Sequence, residues 1–72
     1  MDKDFDKKVG RIIRANRKEK RMTQKELAEK VGLDQSTIAC YENGRRGMTL
    51  DTFFDICKAL KVRPNDIEKQ LR

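Results

Sequence analysis

The chain has 72 residues, with 18 Lys plus Arg against 12 Asp plus Glu, no histidine and two cysteines. A chain of this length reads as one small domain over residues 1–72. It buries only about 60% of its unfolded surface and leaves no room for a separate effector-binding domain. The net charge of +6 favours a polyanionic partner. Neither a membrane-spanning apolar run nor a signal peptide is present, and Cys40 and Cys57 do not form a C-x-x-C pair, so the expectation is a cytoplasmic protein with reduced thiols and no bound metal.

The first predicted element is a helix. Asp2, Asp4 and Asp6 precede or open it, where negative charge complements the helix dipole. Phe5, Val9, Ile12 and Ile13 form its apolar stripe. Lys7, Lys8, Arg11, Arg14, Lys18 and Lys20 lie on other faces, where solvated charge is the ordinary reading.

A second helix is expected from Gln24 to Val31. Thr23 and Glu26 have the T-x-x-E spacing of a capping box, and Leu27, Ala28 and Val31 share one face. Gly32 ends this helix, because a sharp turn needs a residue that tolerates positive φ. Leu33 is an apolar plug in the turn, and Ala28 is small where two helices must cross closely. Asp34 is placed to cap a third helix running from about Gln35 to Glu42. Its buried side is Ile38 and Tyr41, and the 100° helical step sends Gln35, Ser36, Ala39 and Cys40 outward together. Two helices joined by a short Gly-containing turn are what a helix-turn-helix requires.

Asn43–Gly44 closes the third helix, and Arg45, Arg46 and Gly47 follow in a short basic loop. Thr49 caps a fourth helix over Leu50–Leu60, with Asp51 in its first turn. Its six apolar residues Leu50, Phe53, Phe54, Ile56, Cys57 and Leu60 exceed one narrow stripe. Most build the core, Cys57 among them, and Phe54 or Ile56 is left over for a partner surface. Pro64 suits the first turn of a fifth helix, with Ile67 and Leu71 on its apolar edge. No strand pattern appears, so the fold class is all-α, a compact bundle of five short helices.

The stretch Thr23–Asn43 closely resembles the helix-turn-helix of the Cro and phage lambda repressor type, also called the xenobiotic-response-element family. The matches are Gln24, Leu27, Ala28, Val31, Gly32, Leu33, Ile38, Tyr41 and Glu42, and Arg17, Asn43–Gly44 and the Leu50–Leu60 helix match as well. The resemblance spans roughly residues 5 to 71. It implies that the third helix enters the DNA major groove. Gln35 is then the best base reader, through adenine N6 and N7, with Ser36 a less specific one. Ala39 and Cys40 are small enough for a thymine methyl contact, although a buried small hydrophobe is the other reading of Cys40.

The resemblance also implies phosphate contacts from Gln24 at a helix N-terminus, from Asn43, Arg45 and Arg46 in the loop, and from Arg14 on the first helix. Gln24 is also placed to brace Gln35. Solvent-exposed loop charge is the alternative for each arginine of the loop. Thr37 either contacts phosphate or bonds back to its own helix. Arg17 is implied to pair structurally with Glu42, tying the first helix to the third. Arg21 departs from the family, which usually has Gly there. Either it adopts a strained left-handed conformation or the turn differs.

Functionally, the resemblance implies a sequence-specific, double-stranded DNA-binding transcriptional regulator, a repressor or autoregulator, acting as a homodimer through its C-terminal helices on a pseudo-palindromic operator. An antitoxin whose main task is binding a toxin is the alternative. An enzyme is not expected, because histidine, a nucleophile elbow and a phosphate-cradling Gly-rich loop are all missing, and no cofactor is implied.

Overall fold

The computed structural model describes residues 3–72. Five α-helices follow in order: α1 Lys3–Glu19, α2 Gln24–Val31, α3 Gln35–Asn43, α4 Leu50–Leu60 and α5 Pro64–Leu71. Among the described residues there is no strand. Asp4 and Asp6 occupy the first turn of α1, and Arg17 and Lys18 its last, as the helix dipole favours. Asp2 lies outside the described residues.

The core draws on every helix: Val9 and Ile13 from α1, Leu27 and Ala28 from α2, Ile38 and Tyr41 from α3, Ile56, Cys57 and Leu60 from α4, and Ile67 from α5. Helix α3 packs on α1 and α2, α4 packs on α2, and α5 returns to α1. Burial pushes the Cys57 thiol above its ordinary pKa, consistent with a packing role. Ile56 is fully buried, which leaves Phe54, 47% exposed, as the outward aromatic of α4. Phe5 and Leu50 differ from expectation: they are 51% and 66% exposed. Each sits in the first turn of its helix, and both line one open groove with Val9, Met48, Phe53 and Leu71.

The first four helices end alike. A residue with left-handed φ follows each helix: Arg21 (φ 55), Gly32 (φ 71), Gly44 (φ 72) and Lys61 (φ 58). The next N–H then donates five residues back: Met22 to Arg17, Leu33 to Ala28, Arg45 to Cys40 and Val62 to Cys57, at 3.1, 2.9, 3.0 and 3.0 Å. These bonds satisfy carbonyls the helices leave open. Met22, Leu33 and Val62 also turn their side chains onto the core, completing the motif's apolar contact. Of the two alternatives open for Arg21, the strained left-handed conformation is the one observed.

Gly10 sets the α1–α3 crossing. A Cβ there would collide with the carbonyl oxygen of Tyr41 and lie 2.6 Å from that of Glu42. The two backbones touch, and no side chain fits between them.

Candidate nucleic-acid interface

Helix α2 starts from a complete capping box. The Glu26 N–H donates to Thr23 Oγ1 at 3.0 Å, and the Thr23 N–H donates to Glu26 Oε1 at 2.8 Å. Hydrogen bonds from Thr23, from its main chain first and its side chain next, hold the Glu26 carboxyl below its ordinary value. Gly32 then reverses the chain, and α3 begins after Asp34. The Asp34 side chain makes no capping bond, contrary to expectation; it is exposed. Its carbonyl nonetheless accepts from the N–H groups of Thr37 and Ile38.

The orientation of α3 is fixed from behind. Ile38 and Tyr41 enter the core, and Glu42 is buried beside them, 6% exposed. Arg17 of α1, 7% exposed, meets Glu42 through two parallel bonds, Nε to Oε2 at 2.6 Å and Nη2 to Oε1 at 3.0 Å. Its remaining Nη1 donates to the Met22 carbonyl at 2.7 Å. The Glu42 bond and charge raise the Arg17 pKa further, so the guanidinium stays protonated. Gln24 completes the cluster: its Nε2 donates to Glu42 Oε1 at 3.1 Å. Helices α1, α2 and α3 thus meet at one carboxylate. The Gln24 amide is engaged there, bonded to Glu42 rather than to Gln35.

What remains of α3 faces outward. Gln35, Ser36 and Asn43 are exposed, and Ala39 and Cys40 are half-buried in the same arc, with Thr37 half-buried at its edge. The structure therefore gathers Gln35, Ser36, Ala39, Cys40 and Asn43 on one face. Arg45 and Arg46 are exposed in the loop beside its C-terminus. The Arg46 guanidinium carbon lies 6.0 Å from the Tyr41 ring centroid, which steadies that side chain against the helix. Arg14 is exposed on α1, one turn before Arg17. Gly10 was not among the sequence candidates, although a Gly inside an otherwise regular amphipathic helix is itself a signal of close approach.

Two helices meeting at a left-handed Gly, with the second presenting short neutral side chains to solvent, make this a helix-turn-helix protein. A family model described as "Helix-turn-helix" matches residues 13–67, and the chain belongs to that family, whose members are transcriptional regulators rather than enzymes. Antitoxin HipB of Escherichia coli K12 is 48% identical over 40 residues, covering 56% of this chain and 46% of that protein. The immunity repressor protein of Bacillus phage phi105 is 39% identical over 59 residues, covering 82% and 41% respectively. The chain thus spans less than half the length of these two relatives. Among solved structures, the restriction-modification controller protein C.AhdI of Aeromonas hydrophila is 31% identical with a TM-score of 0.83, and 86% of this chain covers 94% of that one. Among the described residues no helix is long and apolar enough to cross a membrane.

Proposed function

We propose that this protein is a sequence-specific, double-stranded DNA-binding transcriptional regulator, a cytoplasmic repressor or autoregulator that binds a pseudo-palindromic operator as a homodimer, with residues 1–72 acting as one DNA-binding domain. The observation that carries this reading is the outward arc of α3. Gln35, Ser36 and Asn43 are exposed there while Ile38, Tyr41 and Glu42 hold the helix from behind.

In this reading Gln35 pairs bidentately with adenine, Ser36 bonds to a neighbouring base edge, and Ala39 and Cys40 touch thymine methyl groups. Gln24, Thr37, Asn43, Arg45, Arg46 and Arg14 contact phosphate, supplying most of the affinity and its salt dependence. Arg17 and Glu42 stay out of the contact and set its geometry.

The homodimer is supported by the apolar surface of α4. Leu50 and Phe54 are exposed one helical turn apart, and Leu50 borders a groove of about 390 Å3 with Phe5, Val9, Met48, Phe53 and Leu71. Covering apolar surface of this kind with a second copy favours association. A dimer presents two recognition helices about 34 Å apart.

Selection of bound genomic fragments at a stated salt concentration tests the proposal. The expected result is a pseudo-palindrome with half-sites one helical turn apart. Fragments with no common sequence would contradict it. The likeness to antitoxin HipB supports a second reading, in which a toxin is also a partner. A tight protein complex on pull-down with the product of a neighbouring gene would favour it.

A further inference from the structure

We infer that the groove between α1, the loop after α3, α4 and α5 binds a small molecule with an apolar body and an ammonium group. Its walls are the first turns of α1, the loop residues Arg46 to Thr49, the start of α4 and the last turn of α5. Its volume of about 390 Å3 lies within the range of about 300–1,000 Å3 typical of small-ligand sites. Val9 is its buried wall, and Phe5 and Leu50 stand exposed at its sides. Phe54, the outward aromatic of α4, is not among its walls. In a two-fold contact centred on the groove, the recess would face its own copy. A second chain would then cover the rim and leave the floor unfilled, whereas a small apolar body fills it.

The charge at the groove selects the ligand. The chain carries +6, yet the charged residues of the walls are two acids, Asp6 and Glu68, and one base, Arg46. Glu68 and Arg46 are engaged. Both Glu68 carboxylate oxygens accept from Arg72, at 2.7 and 2.9 Å, and the Arg46 guanidinium carbon lies 6.0 Å from the Tyr41 ring centroid. Asp6 is half-buried and has neither a hydrogen bond nor an ion pair with another described residue. Its carboxylate stands beside Gly47, with Oδ1 3.2 Å from where a Cβ on that residue would lie. An ammonium group gains a charge-assisted hydrogen bond at Asp6, and the Phe5 and Phe53 rings of the same walls also favour a cation. An anion would meet the two acids, and a neutral ligand would leave Asp6 unpaired.

The test is read on the free protein, so it does not depend on the reading of α3. Three probes of one shape, 4-phenylbutylamine, 4-phenylbutanol and 4-phenylbutyrate, are titrated into isotope-labelled protein and followed by amide NMR shifts. The amine is expected to shift Asp6, Gly47, Met48, Leu50 and Leu71 saturably, and to bind at least about threefold more tightly than the alcohol. The carboxylate is expected to bind more weakly than either. Asp6→Asn should make amine and alcohol equal. Glu68→Gln removes the same charge from a carboxylate already held by Arg72, and should keep the preference. Phe5→Ala, at an exposed position, should weaken all three probes. No saturable shift, equal binding of the three probes, or equal effects of Asp6→Asn and Glu68→Gln overturns the site. Shifts of the groove amides that follow protein concentration alone and block the amine also overturn it, and assign the groove to a second copy. Neither result touches operator binding, which is measured separately.

Discussion

The Arg17 guanidinium and the Glu42 carboxylate face each other as two forks, 2.6 and 3.0 Å apart, and fix α1 to α3 from inside the molecule. Glu42→Ala removes these bonds and the one from Gln24, leaving a buried cation without its partner. The expected loss is about 3–5 kcal/mol. In a domain of this size that lowers Tm by about 12 °C or more. Thermal unfolding followed by circular dichroism checks it, and an unchanged melting curve would refute the role given to the pair.

Gly10→Ala is expected to destabilise, although Ala is the better helix former by about 0.8–1.0 kcal/mol. The new methyl group would meet the main-chain oxygens of Tyr41 and Glu42, which cannot swing aside. A loss of about 1–3 kcal/mol or more follows. A denaturant midpoint equal to or above that of the wild type would contradict the backbone contact.

The left-handed helix ends should sort by residue. Arg21→Gly and Lys61→Gly each relieve a strained backbone and are expected to stabilise by up to about 1 kcal/mol. Gly32→Ala and Gly44→Ala go the other way, and Gly44→Ala by more. The space around Gly32 is open, so only strain is felt there, whereas Gly44 also lies against Lys7. Equal effects at the two glycines would show that the Lys7 contact yields freely. Urea unfolding of the four variants makes the comparison.

These predictions also mark what could be read from the residues alone. The caps Thr23, Thr49 and Pro64 and the stop at Gly32 are local chemistry, and the helices begin and end where that chemistry places them. Gly10 can signal a close approach but not its partner, which lies 31 residues away, at Tyr41. Lys61 gave no sign of left-handed geometry, since tertiary packing of Val62 on the core imposes it against the residue's own preference. Phe5 and Leu50 carry the right periodicity, but periodicity does not say which positions a neighbouring element covers. At the interface, the outward arc of α3 follows from the helical step, whereas the engagement of Gln24 by Glu42 depends on how α2 and α3 cross.

Glu26 gives a pH dependence with a defined sign. Its folded pKa is lowered by the bonds from Thr23, so its contribution to stability is present above the ordinary glutamate value of 4.5 and is lost as pH falls through the folded value. Carboxyl titration followed by NMR should place Glu26 below 4.5. Thr23→Ala should move it upward, because the side-chain bond is removed. A Glu26 midpoint at or above the ordinary value would mean the capping box is open in solution.

The central claim, that the outward arc of α3 reads bases, is tested most directly by Gln35→Ala. Affinity is measured for the selected operator and for a scrambled duplex at one fixed salt concentration. The expected result is a loss of about 1–3 kcal/mol on the operator with the weak, salt-sensitive binding to the scrambled duplex intact. Equal loss on both duplexes, or no loss on either, would contradict it.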